Sequence, residues 1–258
     1  MHNRKANPAR VLTAALLAIL PLTACASAQE APAAIAEAPQ VSTPTISTDP
    51  IPFNANAPFA SEIYNFFVQD ELFAPTTCRT VFTGSSSIRF WYTLDEDFQN
   101  LTPLNRGFGG SEITHLIGYF DILLTRHQPG EIIFYAGEND INAGASPAEV
   151  AARFEVFMDM KTERLGDAPV YFLSAKPSFA RLGQLGAQRE ANALIEAAAE
   201  VRDDLIYVDI ATPMMEGAVP KPIFISDQLH MNLDGYAIWT ETLGGLLSDP
   251  DRPIRTGC

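Results

Sequence analysis

Glu131-Ile132-Ile133-Phe134-Tyr135, followed at once by Ala136-Gly137-Glu138-Asn139-Asp140, is the stretch on which the fold turns. The apolar run is short, rich in β-branched and aromatic residues, and lacks polar alternation. It reads as a strand buried on both faces, ending where Gly137 breaks the pattern. Two similar runs lie upstream: Arg79–Thr83 ends at Gly84, and Leu101–Arg106 runs into Gly107, Gly109 and Gly110. Val170–Ser174 and Leu205–Ile210 supply two more downstream. Helical patterns fall between them, over Ile113–Thr125, Pro147–Leu165, Gln184–Val201 and Leu233–Leu247. The second of these opens on Ser146, a good N-cap, with proline at the first helical position. Strands alternating with helices predict a three-layer α/β/α sandwich around a parallel sheet of about five strands. Right-handed crossovers leave few topologies, and a flavodoxin-like order is expected.

The chain has 258 residues, 47% hydrophobic and 19% charged, enough for one sizeable domain, expected over residues 58–258. Its formal net charge is −14, and all three charged residues among the first 25, Arg4, Lys5 and Arg10, are basic. Without them, 14 basic side chains face 31 acidic ones. So acidic a surface repels phosphate backbones and anionic headgroups, so nucleic acid is not expected as a partner.

Those three basic residues precede an apolar run, Val11–Leu22, that is too short to span a bilayer, which takes roughly 20 residues. Residues 1–25 therefore read as an export signal. Leu22-Thr23-Ala24-Cys25 resembles a lipobox, with Cys25 as the lipidation site; ordinary cleavage after Ala26-Ser27-Ala28 is the alternative. A lipid on Cys25 would be the chain's one membrane attachment. Residues 26–57, rich in Ala, Pro, Ser and Thr, read as a disordered tether. The expected location is the periplasm or cell envelope, lipid-anchored or secreted. In an oxidising compartment the remaining cysteines, Cys78 and Cys258, are expected to bridge and pin the C-terminal tail to the start of the first core strand.

In parallel α/β sheets, sites form beyond the carboxyl ends of the strands. Gly84-Ser85-Ser86-Ser87, Gly107-Phe108-Gly109-Gly110 and Gly137-Glu138-Asn139-Asp140 all fall there, and Asp227-Gln228-Leu229-His230 precedes the last helix. A serine needs a base, and a strand-to-helix turn would expose its hydroxyl beside backbone N–H groups. Read alone, the three serines are equally good helix caps. The phosphate-loop and Gly-x-Ser-x-Gly patterns are both absent. Of the four histidines, His2 lies in the expected export signal, and neither His115, within a predicted helix, nor His127, in a loop before Pro129, has an obvious acidic partner at short range. His230 has Asp227 three residues before it, close enough to fix its tautomer. Gly110 and Asn139 could donate N–H groups to an oxyanion, though each is also ordinary turn chemistry.

Taken together, these blocks resemble the SGNH hydrolase superfamily, also called GDSL-type esterases and lipases, over about Val81–Trp239. Phe82-Thr83-Gly84-Ser85-Ser86-Ser87-Ile88 matches its first block, with Ser85 where the family has aspartate. The resemblance implies Ser86 as nucleophile, two residues after the glycine. It also implies Asp227 and His230 as the activating pair, and the Ser86 and Gly110 N–H groups with the Asn139 amide as the oxyanion hole. Lys176-Pro177-Ser178 and Arg181 are similar to family features that shape a wall of the site. The activity implied is hydrolysis of carboxylic esters, of short acyl groups including O-acetyl groups on saccharides, through an acyl-enzyme and without metal or cofactor. Since the base must be neutral, activity should fall on acidification. The alternatives on the same site are an O-acyltransferase and a catalytically weak carbohydrate-binding envelope protein.

Overall fold

Five parallel strands form the centre of the molecule: β1 (Thr80–Gly84), β2 (Leu104–Gly107), β3 (Glu131–Tyr135), β4 (Val170–Leu173) and β5 (Leu205–Val208). In this computed structural model, residues 56–258 are described; the expected export signal over residues 1–25, with Cys25, and nearly all of the expected 26–57 tether lie outside them. The strand order β2-β1-β3-β4-β5 is the flavodoxin-like order expected. β1 pairs residue for residue with both neighbours, Gly84 lying beside Gly107 on one side and Tyr135 on the other. Three glycine-marked strand ends thus meet at one edge of the sheet.

Alternate residues of each strand feed two separate cores, as the period of two requires. Val81, Ile132, Phe134, Val170 and Phe172 face one layer, and Phe82, Ile133, Tyr135, Tyr171 and Leu173 the other. The first layer holds α1 (Ala60–Leu72), α4 (Ile113–Gly118), α5 (Phe120–Leu123), α7 (Pro147–Leu165) and α8 (Leu185–Ala199). The second holds α2 (Ser86–Arg89), α3 (Leu94–Asp97) and α9 (Leu233–Leu247). There Trp91, between α2 and α3, and Trp239 of α9 pack edge to face with ring centres 5.6 Å apart, joining the segment after β1 to the last described helix. The remaining helix, α6 (Glu138–Asn142), is a single turn after β3.

Three expectations need correction. The helix predicted over Ile113–Thr125 is broken: α4 stops at Gly118, α5 restarts at Phe120, and Thr125–His127 is a 3-10 turn. Glycine at the break lowers the helical preference that the apolar spacing alone suggests. The helix predicted from Gln184 begins instead at Leu185, after a 3-10 segment, Phe179–Gln184. A helix absent from the sequence reading, α1, covers the first layer, its Asp70 ion-paired to Arg106 of β2.

At the opposite end of the sheet from the glycine turns, the C-terminal tail crosses the strand starts. Arg255 N–H donates to the Gly130 carbonyl at 2.9 Å, Arg252 Nε to Glu131 at 3.0 Å, and Cys258 is disulfide-bonded to Cys78. Among the described residues, no helix is long and apolar enough to cross a membrane.

Candidate active site

Gly84 ends β1 at φ 145°, and a β-carbon there would overlap the Tyr135 carbonyl oxygen of β3. Only glycine lets the chain leave the sheet so close to its neighbour. The Ser85 N–H then donates to that same carbonyl at 2.9 Å, and α2 begins at Ser86. As first residue of a helix, Ser86 has an N–H with no partner inside it. The three serines separate cleanly. Ser85 and Ser87 are buried at 3% and 2% exposure, whereas Ser86 is partly exposed.

The Ser86 hydroxyl lies 2.8 Å from His230 Nε2, and His230 Nδ1 lies 2.6 Å from Asp227 Oδ2. A carboxylate can only accept, so Nδ1 carries the proton and Nε2 is left to accept from Ser86. The pair is held by local geometry. Phe224 and Met231 bridge antiparallel, the Ile225 N–H donates to the His230 carbonyl, and Gln228 takes a positive φ at the tip. Asp227 Oδ1 accepts from the Leu229 and His230 N–H groups, both at 2.9 Å. Partial burial works against the charged carboxylate, but these N–H groups and the His230 ring outweigh it and hold the Asp227 pKa down to about 2. Asp227 is thus charged near neutral pH. Phe90 packs edge-on against the His230 ring at 5.0 Å, steadying it from the other side.

The other two glycine-marked turns are tied to the serine turn. The Phe108 N–H donates to the Gly84 carbonyl at 3.0 Å, and Ser111 Oγ is 3.2 Å from the same oxygen. Asn105 braces α2 by donating to the Ile88 carbonyl at 2.7 Å. Gly110 sits exposed at φ 78°. Asn139 Nδ2 donates to the carbonyl of Ser111, the residue after Gly110, at 2.9 Å. Ser86, Gly110, Asn139, Asp227 and His230 therefore all belong to one connected set of turns. A hydroxyl relayed through imidazole to carboxylate, flanked by backbone and carboxamide N–H groups, can attack a carbonyl and stabilise the resulting oxyanion.

Lys176, Ser178 and Arg181 are buried beneath the turns: Lys176 and Arg181 ion-pair with buried Glu138 at 3.0 and 2.8 Å. The Tyr135 hydroxyl donates to the same carboxylate. Burial pushes the Glu138 carboxyl up, but the two cations override it and hold its pKa below the usual range. Glu138 was missed because its partners lie far along the chain. So was the acidic partner of His127, Asp70, whose carboxylate is 3.5 Å from the ring. His115 instead closes a capping box, its Nδ1 accepting from the Glu112 N–H. Among the described residues, no cluster of three or more His, Cys, Asp or Glu could hold a metal ion.

Comparison with known proteins bears on the family and the fold. The model of the GDSL-like Lipase/Acylhydrolase family matches residues 79–238. No curated protein matches the chain. Among solved structures, it is similar to a GDSL-like lipase from Bacteroides thetaiotaomicron, at 19% identity and TM-score 0.61, covering 71% of this chain and 95% of that one. It is also similar to a member of the lipolytic protein G-D-S-L family from Veillonella parvula, at 17% identity and TM-score 0.55, covering 66% and 98%. A carbohydrate esterase family 3 protein from Talaromyces cellulolyticus aligns at 12% identity and TM-score 0.55, covering 66% and 96%. At such identities the structures speak to the fold, while the family match spans most of the described residues. The chain belongs to the GDSL-like lipase/acylhydrolase family, and its activity is that of a carboxylic ester hydrolase.

Proposed function

We propose that the protein hydrolyses short-chain esters, O-acetyl groups on saccharides foremost, through an acyl-enzyme on Ser86. The observation that carries this reading is the unbroken relay from Ser86 Oγ to His230 at 2.8 Å and on to Asp227 at 2.6 Å. His230 Nε2 takes the Ser86 proton as Oγ attacks the ester carbonyl, and the carbonyl π electrons move onto oxygen. The Ser86 and Gly110 N–H groups and the Asn139 amide hold that oxyanion. Collapse expels the alkoxide, which takes the proton from His230 and leaves as the alcohol. Water then attacks the acyl-enzyme with His230 again as base, releasing the acid and restoring Ser86.

Because His230 must reach the leaving oxygen, the alcohol part of the substrate lies on the histidine side of Ser86. A cavity of about 410 Å³ opens there, lined by Phe90, Tyr92, Ile225, His230 and Leu233 among others. Tyr92 and Leu233 are 84% and 72% exposed. Flat aromatic and apolar surface of this kind suits the C–H face of a sugar ring. The fold shared with a carbohydrate esterase supports the same substrate class. Export to the cell envelope belongs to the reading too, since the Cys78–Cys258 bridge needs an oxidising compartment.

The test is hydrolysis of p-nitrophenyl acetate, p-nitrophenyl butyrate and acetylated xylo-oligosaccharide by the purified protein, with Ser86→Ala and Ser85→Ala alongside. Turnover lost in Ser86→Ala alone, with acetate preferred over butyrate, is the expected result. Equal loss in Ser85→Ala would overturn the register, and acyl transfer to added saccharide in place of water would overturn hydrolysis. Fractionation of cells expressing the full chain and its Cys25→Ser variant tests the anchor. The parent should sediment with membranes and the variant should not.

A further inference from the structure

Arg181 meets neither Ser86 nor His230, yet it is 9% exposed and both arms of its guanidinium are occupied. Nη1 donates to Glu138 Oε1 at 2.8 Å, and Nη2 donates to Asn139 Oδ1 at 2.8 Å. Asn139 is gripped from its other end as well, where Nδ2 donates to the Ser111 carbonyl at 2.9 Å. A carboxamide can sit either way round, and here the two contacts decide. Turned over, its NH2 would meet the donors of Arg181 and its oxygen would meet the Ser111 carbonyl, two repulsive pairs in place of two bonds. The carboxamide nitrogen carries two hydrogens, and Ser111 takes one. The other is left for an oxyanion. The reversed amide would instead aim lone pairs at the developing negative charge.

We propose that Arg181 is a positioning residue of the oxyanion hole, fixing Asn139 with its N–H toward the substrate oxygen, and that Glu138 and Lys176 fix Arg181. Glu138 is the anchor, shared between Arg181, Lys176 at 3.0 Å and the Tyr135 hydroxyl. The planar fork matters, because a point charge could pair with Glu138 or reach Asn139 but not satisfy both in one plane. The cluster sets two cations against one carboxylate, so its net field favours negative charge beside it. A charge-assisted bond at Oδ1 also polarises the amide, making its remaining N–H a stronger donor. The same 3-10 segment reaches the base: the Ala180 N–H donates to the Gln228 carbonyl at 3.0 Å, within the turn that carries Asp227 and His230. One short segment thereby registers the oxyanion donor against the general base.

This inference rests on the ester-hydrolase reading of the site, and a double-mutant cycle separates the two. Steady-state hydrolysis of p-nitrophenyl acetate is measured for the parent, Ser86→Ala, Arg181→Met, Asn139→Ala and the Arg181→Met/Asn139→Ala double variant. Arg181→Met should lower kcat by about 10–100-fold with KM within about threefold, since a lost oxyanion donor costs about 10²–10³. In the Asn139→Ala background the same change should cost less than about threefold, because the group it positions is already gone. Equal losses in both backgrounds, or a kcat within about twofold of the parent, would overturn the proposal. If Arg181→Met does not fold, Arg181→Lys, which keeps the charge opposite Glu138, decides on the same comparison. Turnover retained in Ser86→Ala would instead sink the functional reading itself.

Discussion

Opening the bridge between Cys78 and Cys258 should weaken the fold and leave the chemistry alone. The two Cα atoms are 5.3 Å apart across a sequence separation of 180 residues. Closing a loop that long restricts the unfolded chain by about 5 kcal/mol in the chain-entropy model, and delivered values are typically about 2–4 kcal/mol. For a domain of this size each kcal/mol moves the melting temperature by about 2–4 °C, so a fall of about 5–15 °C is expected. The Arg255–Gly130 and Arg252–Glu131 hydrogen bonds survive in the folded state, which keeps the tail docked once the bridge is gone. Cys78 precedes β1 and Ser86 follows it, so about six residues of extended chain, roughly 20 Å, separate bridge from site. The assay is thermal unfolding of the parent, Cys258→Ser and the Cys78→Ser/Cys258→Ser pair, with kcat at 25 °C on the same samples and intact mass to count thiols. A parent shown to be bridged whose melting temperature matches the variants would refute the entropic argument. A more than twofold change in kcat would refute the separation of bridge from site.

Other consequences are as direct. Asp227→Asn should keep the fold but lower kcat by about 10³–10⁴-fold, because the amide can donate to Nδ1 and favour the wrong tautomer; a loss below tenfold would show that Asp227 only buttresses the turn. Gly84→Ala should cost about 2–4 kcal/mol in urea unfolding, from left-handed strain and overlap with the Tyr135 carbonyl, and a neutral result would mean that the β1 exit can shift. Asp204 is buried in part, which works against its charge, but Arg202 and Lys161 prevail and hold its pKa down to about 2. Its folded pKa lies below the unfolded value, so its contribution of about 2 kcal/mol is complete above about pH 4 and fades as pH falls toward 2. Asp204→Asn should therefore destabilise at pH 7, by about half as much at pH 3 and by little at pH 2, and a gap independent of pH would contradict the assignment.

What could be read from the sequence follows from how local each signal is. The strands show as apolar runs ended by glycines, because their burial and the tight exits at Gly84 and Gly137 are written in adjacent residues. Asp227 and His230 were readable for the same reason, three residues apart in one turn. α1 was not. Its Phe66 and Phe67 sit under the guanidinium groups of Arg106 and Arg126, and Asp70 pairs with Arg106, partners that no local window contains. Glu138 stood beside a recognised asparagine, yet its role depends on cations 38 and 43 residues later. Residues whose work is to hold other residues depend on tertiary neighbours, and the chain alone does not name them.

The relay between Ser86 and His230 spans 144 residues of chain, and the base sits just ahead of α9, the last helix. A ribosome delivers the nucleophile long before it delivers the base. On the proposed mechanism the serine meets its base only once the turn ahead of α9 is in place, α9 itself packing through Trp239 against Trp91. On that mechanism, competence waits on the last part of the chain, whose helix closes the second core. A chain that stops short of Asp227 and His230 would, on the proposed mechanism, carry the serine without its base.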